Sequence, residues 1–412
     1  MFLKPTIERN PELVRAATRL HQEGKIPANS YVIDLDAVQH NAGLLKDEAK
    51  RHGLSIYFMT KQYGRNPLVT NAAVDPGQPM TVAVDPDDVA AIAKWGIRLG
   101  HVGNLVQVPK HEIPSVLDLH PEVISVFSIE KAAQISEVAV QKGMVQDILL
   151  RVAGPNDVYL PGMLGGFPLE EIVEVARQIQ KLPGVNIAGV VTFPALYYTE
   201  TERPLPTPNL ATIREAAHRL DRELGITIKQ VNAPGNTSCL TMETFAKGGA
   251  THVEPGHGLT GTTTFNLSGK QPEIPAVVYV TEVSHFVDGR VFVFGGGFFV
   301  DDPPVKMRES FKRVALVGDD PAHILDCQMP FLGTGPDDAS RFAGIDYHGI
   351  LDPAGQRCKV GDTVIFGFRI QAFVARAKIV GVSGIQTGSP TVEGIFDRYA
   401  NRLDNLGYTA QH

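Results

Sequence analysis

The residue in this chain best placed to do covalent chemistry is a lysine at the end of an apolar run, Ser55-Ile56-Tyr57-Phe58-Met59-Thr60-Lys61-Gln62-Tyr63-Gly64. The run is β-branched and aromatic, has the length of a buried strand and stops at a glycine. A lysine leaving such a strand stands where barrels and open α/β sheets keep their active sites. An amine in a largely apolar pocket has its charged form disfavoured, so its pKa falls and it becomes a nucleophile. The chemistry that fits is a Schiff base; the alternative is a solvated strand-end lysine. Two glycine-rich turns follow late strands: Asn232-Ala233-Pro234-Gly235-Asn236-Thr237-Ser238 and Glu254-Pro255-Gly256-His257-Gly258-Leu259-Thr260-Gly261. Such turns aim backbone N–H groups at anion oxygens, and hydroxyls add donors. With Lys61 they favour a phosphate-bearing aldehyde cofactor over two purely structural turns.

The elements that must position these groups alternate. Strand-like segments are predicted at Tyr31–Leu35, Ile56–Thr60, Met80–Val84, Leu99–Val102, Ile124–Phe127, Ile148–Val152, Ile187–Phe193, Ile228–Asn232 and His252–Glu254. Amphipathic stretches lie between them, as at Pro86–Trp95, Ile129–Lys142, Leu169–Lys181 and Leu210–Leu224. This order predicts an α/β fold, a (β/α)8 TIM barrel over 30–265 after an N-terminal arm at 1–29. The pattern then changes to consecutive strands. Pro272–Val300 carries a hairpin signal at Asp288-Gly289, further strands are predicted at Ala322–Cys327, Thr363–Phe368 and Phe373–Val382, and a helix at Val392–Leu406. Residues 266–412 therefore read as a mainly β C-terminal domain, with a single α+β domain as the alternative.

The chain has 412 residues, more than one core usually serves. Its net charge of −7 argues against nucleic acid and anionic membrane surfaces, and no apolar run reaches the length of a membrane span. The start, Met1-Phe2-Leu3-Lys4-Pro5, lacks an apolar signal region. Cys239, Cys327 and Cys358 have no metal-ligand spacing and read as reduced thiols, so a cytoplasmic location is expected.

Taken in order, the segments from Tyr31-Val32-Ile33-Asp34-Leu35-Asp36 to Gly361-Asp362-Thr363-Val364 resemble the pyridoxal-phosphate enzymes of the alanine racemase and ornithine decarboxylase fold (fold type III), nearest the YhfX-like predicted racemase group. The resemblance implies that Lys61 forms the internal aldimine with pyridoxal 5'-phosphate and that Tyr63 supports the phosphate. It places Gly235, Asn236, Thr237, Ser238, Gly256 and His257 at the phosphate, and Phe193 against the pyridine face, where alanine racemases carry a histidine. Glu254-Pro255-Gly256 is similar to the Glu-Pro-Gly of the decarboxylase branch, whereas alanine racemases carry an arginine by the ring nitrogen. A carboxylate there favours a protonated ring and an accessible quinonoid intermediate.

Inverting a Cα centre needs an acid/base group on each face of the cofactor. Lys61 serves one. Alanine racemases supply the other as a tyrosine from the partner subunit, but Phe292-Val293-Phe294-Gly295-Gly296-Gly297-Phe298 has no such residue. Gly344-Ile345-Asp346-Tyr347-His348-Gly349 offers Tyr347 or His348 instead, in a homodimer with cross-subunit active sites. Phe366–Phe373 lacks the His-x-Cys metal pair of the related dehydratases, so no metal is expected; Arg369 there is a candidate for a substrate carboxylate. His101, Asn104 and Tyr159 are further candidate lining residues. The resemblance thus implies an amino-acid racemase or epimerase acting on a small-molecule amino acid. The alternatives are an amino-acid decarboxylase, a D-amino-acid lyase, a non-catalytic pyridoxal-phosphate-binding protein and a barrel enzyme acting on sugar phosphates.

Overall fold

A computed structural model of the chain describes residues 2–198, 203–298, 313–334 and 346–403. It divides into two compact units, one of Leu44–Thr60 with Val74–Gly256, the other of Met1–Gly43, Lys61–Ala73 and His257–His412.

The first unit is the barrel. Its parallel strands run, in spatial order, Ser55–Ile56, His252–Val253, Gln230–Asn232, Val185–Val191, Gln146–Ala153, Val123–Val126, His101–Val102, Thr81–Ala83 and Phe58–Met59. The two end strands are halves of one stretch of chain broken at Tyr57. Tyr57 N–H bonds Val253 on one side and Phe58 N–H bonds Met80 on the other, at 3.1 and 2.6 Å, so the ring closes on eight positions. Nearly every strand residue is buried, as expected where a parallel sheet has both faces covered. Between strands, Ser128 and Asp85 cap their helices through side-chain oxygens, and Pro208 opens the helix Pro208–Leu224 at its first position.

The second unit is built on a nine-stranded sheet. Six of its strands close a ring, because Val277–Val287 pairs with both Thr363–Phe366 and Arg290–Phe294. Asp288 and Gly289 both take positive φ, 48° and 73°, the geometry of the predicted hairpin turn. Tyr279, Phe298, Phe331, Phe366 and Phe368 pack ring on ring within this unit at centroid distances of 4.9 to 6.4 Å. The helix Pro11–Gln22 lays Leu13, Val14, Ala17 and Leu20 into the same core cluster as Val278, Val280, Ile365 and Val380.

Three sequence expectations change here. The segment at Tyr31–Leu35 contributes no barrel strand: Ser30–Asp34 pairs with Val277–Val287 and Lys378–Ser383 in the sheet of the second unit. An apolar run carries no information about which sheet it joins, so alternation alone placed it wrongly. The helix expected at Val392–Leu406 is instead the strand Thr391–Phe396, paired antiparallel with Lys378–Ser383; residues 404–406 lie outside the described residues. Ala322–Cys327 is a turn, Ile324–Asp326, between strands Val314–Gly318 and Gln328–Gly333. Among the described residues, no helix is long and apolar enough to cross a membrane.

Candidate active site

The carboxyl-terminal ends of the barrel strands carry polar residues where an ordinary core would be apolar. Glu254 follows His252–Val253, and its side chain is fully buried, as is that of His101. Its Oε1 lies 2.6 Å from His101 Nδ1 and accepts from Asn232 Nδ2 at 3.0 Å. Its Oε2 accepts from Asn104 Nδ2 at 2.6 Å. His101 Nε2 is in turn 2.6 Å from Ser125 Oγ. Because each asparagine turns its Nδ2 to Glu254, the orientation of both amides is fixed, and their Oδ1 atoms are left buried without a partner. A carboxylate offers about four accepting positions. Three are filled, so Glu254 retains room for one further donor.

Arg151 extends this polar layer from the long strand Gln146–Ala153. It is fully buried, donating to the carbonyls of Asn104 and Phe193 at 3.2 and 3.1 Å and lying over the Phe127 ring at 5.4 Å. Burial lowers its pKa to about 10, against the opposing charges of Tyr159, Asp157 and Glu254, so it is cationic at neutral pH. Its Nε, the Tyr159 hydroxyl, Thr192 Oγ1 and Thr237 Oγ1 are also buried and unpartnered. Buried polar atoms are normally satisfied within the protein. A bound polar molecule or buried water would supply the missing partners.

The first glycine-rich turn lies beside Thr192-Phe193. Ala195 N–H donates to Pro234 at 2.9 Å, and a Cβ on Gly235 would stand 2.9 Å from Ala195 N. Gly235 has φ +149° and Asn236 φ 50°, so this backbone is open to few other residues. Thr237 and Ser238 are buried, and Ser238 opens the short turn Cys239–Thr241.

In the second unit, Lys61 opens the turn Lys61–Tyr63, and its Nζ lies 5.0 Å from the centre of the Phe373 ring. Its charge and that of Arg369 both reach His257, which burial holds well below the usual imidazole range. His257 is therefore neutral. Its Nε2 donates to the Ile370 carbonyl at 2.9 Å, leaving Nδ1 as an acceptor. Tyr63 is buried with its hydroxyl 3.3 Å from Thr70 Oγ1. Tyr347 is 66% exposed under the Arg376 guanidinium, 5.1 Å from the ring centre. His348 opens the strand His348–Leu351 and packs edge-on to His285 at 5.2 Å; burial and His285 lower its pKa. Gly344 and Ile345 of that segment lie outside the described residues.

Within the barrel unit the structure thus joins Glu254 to His101, Asn104 and Asn232, and packs the Pro194-Ala195 backbone, next to Phe193, against Gly235. Within the second unit it groups Lys61, His257 and Arg369. Tyr347 and His348 contact Arg376 and His285 instead. Sequence reasoning missed Arg151, Ser125 and the part played by Asn232. The available signal was polarity out of place: Arg151 interrupts Ile148-Leu149-Leu150 and Val152, in a strand both of whose faces are buried.

Residues 33–264 match the family described as alanine racemase, N-terminal domain, and residues 278–392 that described as YhfX-like, C-terminal domain. The chain belongs to the alanine racemase N-terminal domain family, with a YhfX-like C-terminal domain. It is 37% identical over 405 residues to the uncharacterized protein YhfX of Escherichia coli (strain K12), spanning 98% of this chain and all of that one. Among solved structures it is similar to D-threonine aldolase from Filomicrobium marinum, with a TM-score of 0.64 and 16% identity over 92% of this chain and 96% of that one. It is likewise similar to alanine racemase of Clostridium difficile 630, with a TM-score of 0.62 and 15% identity over 90% and 99%. These likenesses bear out the expected family and the expected barrel followed by a β domain.

Proposed function

We propose that the protein is a pyridoxal-phosphate-dependent amino-acid racemase or epimerase. The observation that carries the reading is Glu254, a buried carboxylate with three donors and one accepting position left. That position suits the N–H of a protonated aromatic ring nitrogen. The unpartnered hydroxyls of Thr192 and Thr237 suit phosphate oxygens, beside a glycine-rich turn whose Ser238 N–H is held by Thr241 Oγ1 at 2.9 Å. Phe193 offers a ring face without charge. The residues present fit pyridoxal phosphate, which when bound supplies an electron sink for a bond broken at the substrate α-carbon.

Lys61 then has two tasks, holding the cofactor's aldehyde carbon through Nζ and moving the α-proton on one face. On the other face we place Tyr347 or His348, presented by a second copy of the chain in a cytoplasmic homodimer. His348, with its lowered pKa, is unprotonated at neutral pH and able to accept a proton. For a substrate carboxylate we place Arg369 as the candidate cation.

Glu254 also supports a second reading, an amino-acid decarboxylase, because a protonated ring assists loss of carbon dioxide as well as of a proton. The test is borohydride reduction of protein incubated with pyridoxal phosphate, followed by mass mapping, then a screen of both enantiomers of each amino acid in deuterium oxide. An adduct on Lys61 with α-deuterium in both enantiomers is the expected result. Carbon dioxide release would select the decarboxylase, and ammonia with a keto acid a lyase. An adduct without any turnover would indicate a binding protein. Absence of an adduct would remove the cofactor from the account.

A further inference from the structure

We propose that Ser125 and His101 form a directional hydrogen-bond chain that positions Glu254: Ser125 O–H donates to His101 Nε2, and His101 Nδ1–H donates to Glu254 Oε1. His101 is then a positioning residue, fixing one tautomer and through it the orientation of the carboxylate. The proposal deepens the reading above and rests on Glu254 as the acceptor for a ring nitrogen.

The direction follows from what each atom can give. An ionised carboxylate only accepts, so the proton in the 2.6 Å contact between Glu254 Oε1 and His101 must sit on Nδ1. A neutral imidazole then has a bare Nε2, and Ser125 Oγ at 2.6 Å is the group beside it able to donate. Asn232 Nδ2 also comes within 3.3 Å of His101 Nδ1, but its nearer acceptor is Glu254 Oε1 at 3.0 Å. His101 and Ser125 are both fully buried, so water does not compete for either bond. His101 and Ser125 lie on two strands and Glu254 directly follows a third, which ties the carboxylate's position to the barrel rather than to one loop. With both Oε1 positions taken by His101 and Asn232, the accepting position left is on Oε2, beside Asn104.

Partners that orient metal-ligating side chains change affinity about 10- to 100-fold when removed, and an effect of that size is expected for a partner orienting Glu254. Asparagine at position 101 can present an N–H where His101 Nδ1 stands; leucine cannot. The first measurement is histidine nitrogen NMR on the cofactor-free protein. The expected result is protonated Nδ1 and accepting Nε2 for His101, and a second tautomer appearing in Ser125→Ala. An Nε2–H tautomer, or protons on both nitrogens, in the unaltered protein would overturn the proposal. The second measurement is pyridoxal-phosphate affinity: His101→Leu is expected to weaken binding about 10- to 100-fold, and His101→Asn far less. Equal affinities for His101→Leu and the unaltered protein, or equal losses in both variants, would overturn it. If the unaltered protein does not bind the cofactor, the proposed function fails, while the tautomer measurement still decides the chain.

Discussion

Glu254 is the residue at which two substitutions of similar size should differ most. In Glu254→Leu, His101 Nδ1, Asn104 Nδ2 and Asn232 Nδ2 all lose their acceptor inside the barrel. Leaving a buried donor unpaired costs about 1–3 kcal/mol, so three cost about 3–9 kcal/mol. Relief from burying a carboxylate offsets part of this, but that gain is large only when the partners are replaced too. Glu254→Gln is milder. The Gln oxygen still accepts from His101 and Asn232, and Asn104 can turn its unpartnered Oδ1 toward the new amide N–H. The loss is then the difference between charge-assisted and neutral hydrogen bonds, up to about 1 kcal/mol for each of three. The order expected is therefore unaltered protein, Gln about 1–3 kcal/mol below it, and Leu well below both, near the 5–15 kcal/mol that a typical domain has in total. The chain's single tryptophan, Trp95, lies in the same unit as Glu254, so its fluorescence in a urea titration follows that unit. A Leu variant as stable as the Gln variant would show that the three donors are not committed to Glu254, and the reasoning would fail.

Other consequences are as direct. His252 is held neutral by burial, which lowers its pKa to about 4; the unfolded chain then binds the extra proton first, so this contribution to stability is complete above about pH 6.5 and is lost as pH falls toward 4. His252→Gln should flatten that acid limb in the Trp95 titration, and an unchanged slope would refute the assignment. Gly235→Ala places a Cβ 2.9 Å from Ala195 N at φ +149°, and should lower stability by about 1–3 kcal/mol and weaken inorganic phosphate binding, read by calorimetry. Tyr347→Phe and His348→Gln should separate the second proton group: the variant lacking it should lose inversion by about 10²–10⁴-fold while keeping deuterium exchange on one enantiomer. Full inversion by both variants would place that group elsewhere.

Lys61, the two glycine-rich turns and Glu254 were legible in the sequence because each departs from its surroundings locally: a charge after an apolar strand, or glycines where a helix should begin. Alternation of strand and helix gave the barrel for a similar reason, since a parallel sheet forces that order. The assignment of Ser30–Asp34 was not legible, because the choice of sheet depends on pairing with Val277–Val287 and Lys378–Ser383, hundreds of residues away. The strand at Thr391–Phe396 is a related case, fixed by its antiparallel partner rather than by its own pattern.

The same division runs through the site. Sequence alone determined which residue types are available, an amine, a carboxylate and two glycine-rich turns, because chemistry resides in the residue type. Only tertiary structure decided what each is bonded to. Glu254 meets His101 across 153 positions and Asn104 across 150, through barrel closure that no local pattern records. It was likewise closure that buried Arg151 among carbonyls and left Thr192 and Thr237 without partners, since satisfaction of a polar atom depends on neighbours supplied by other strands.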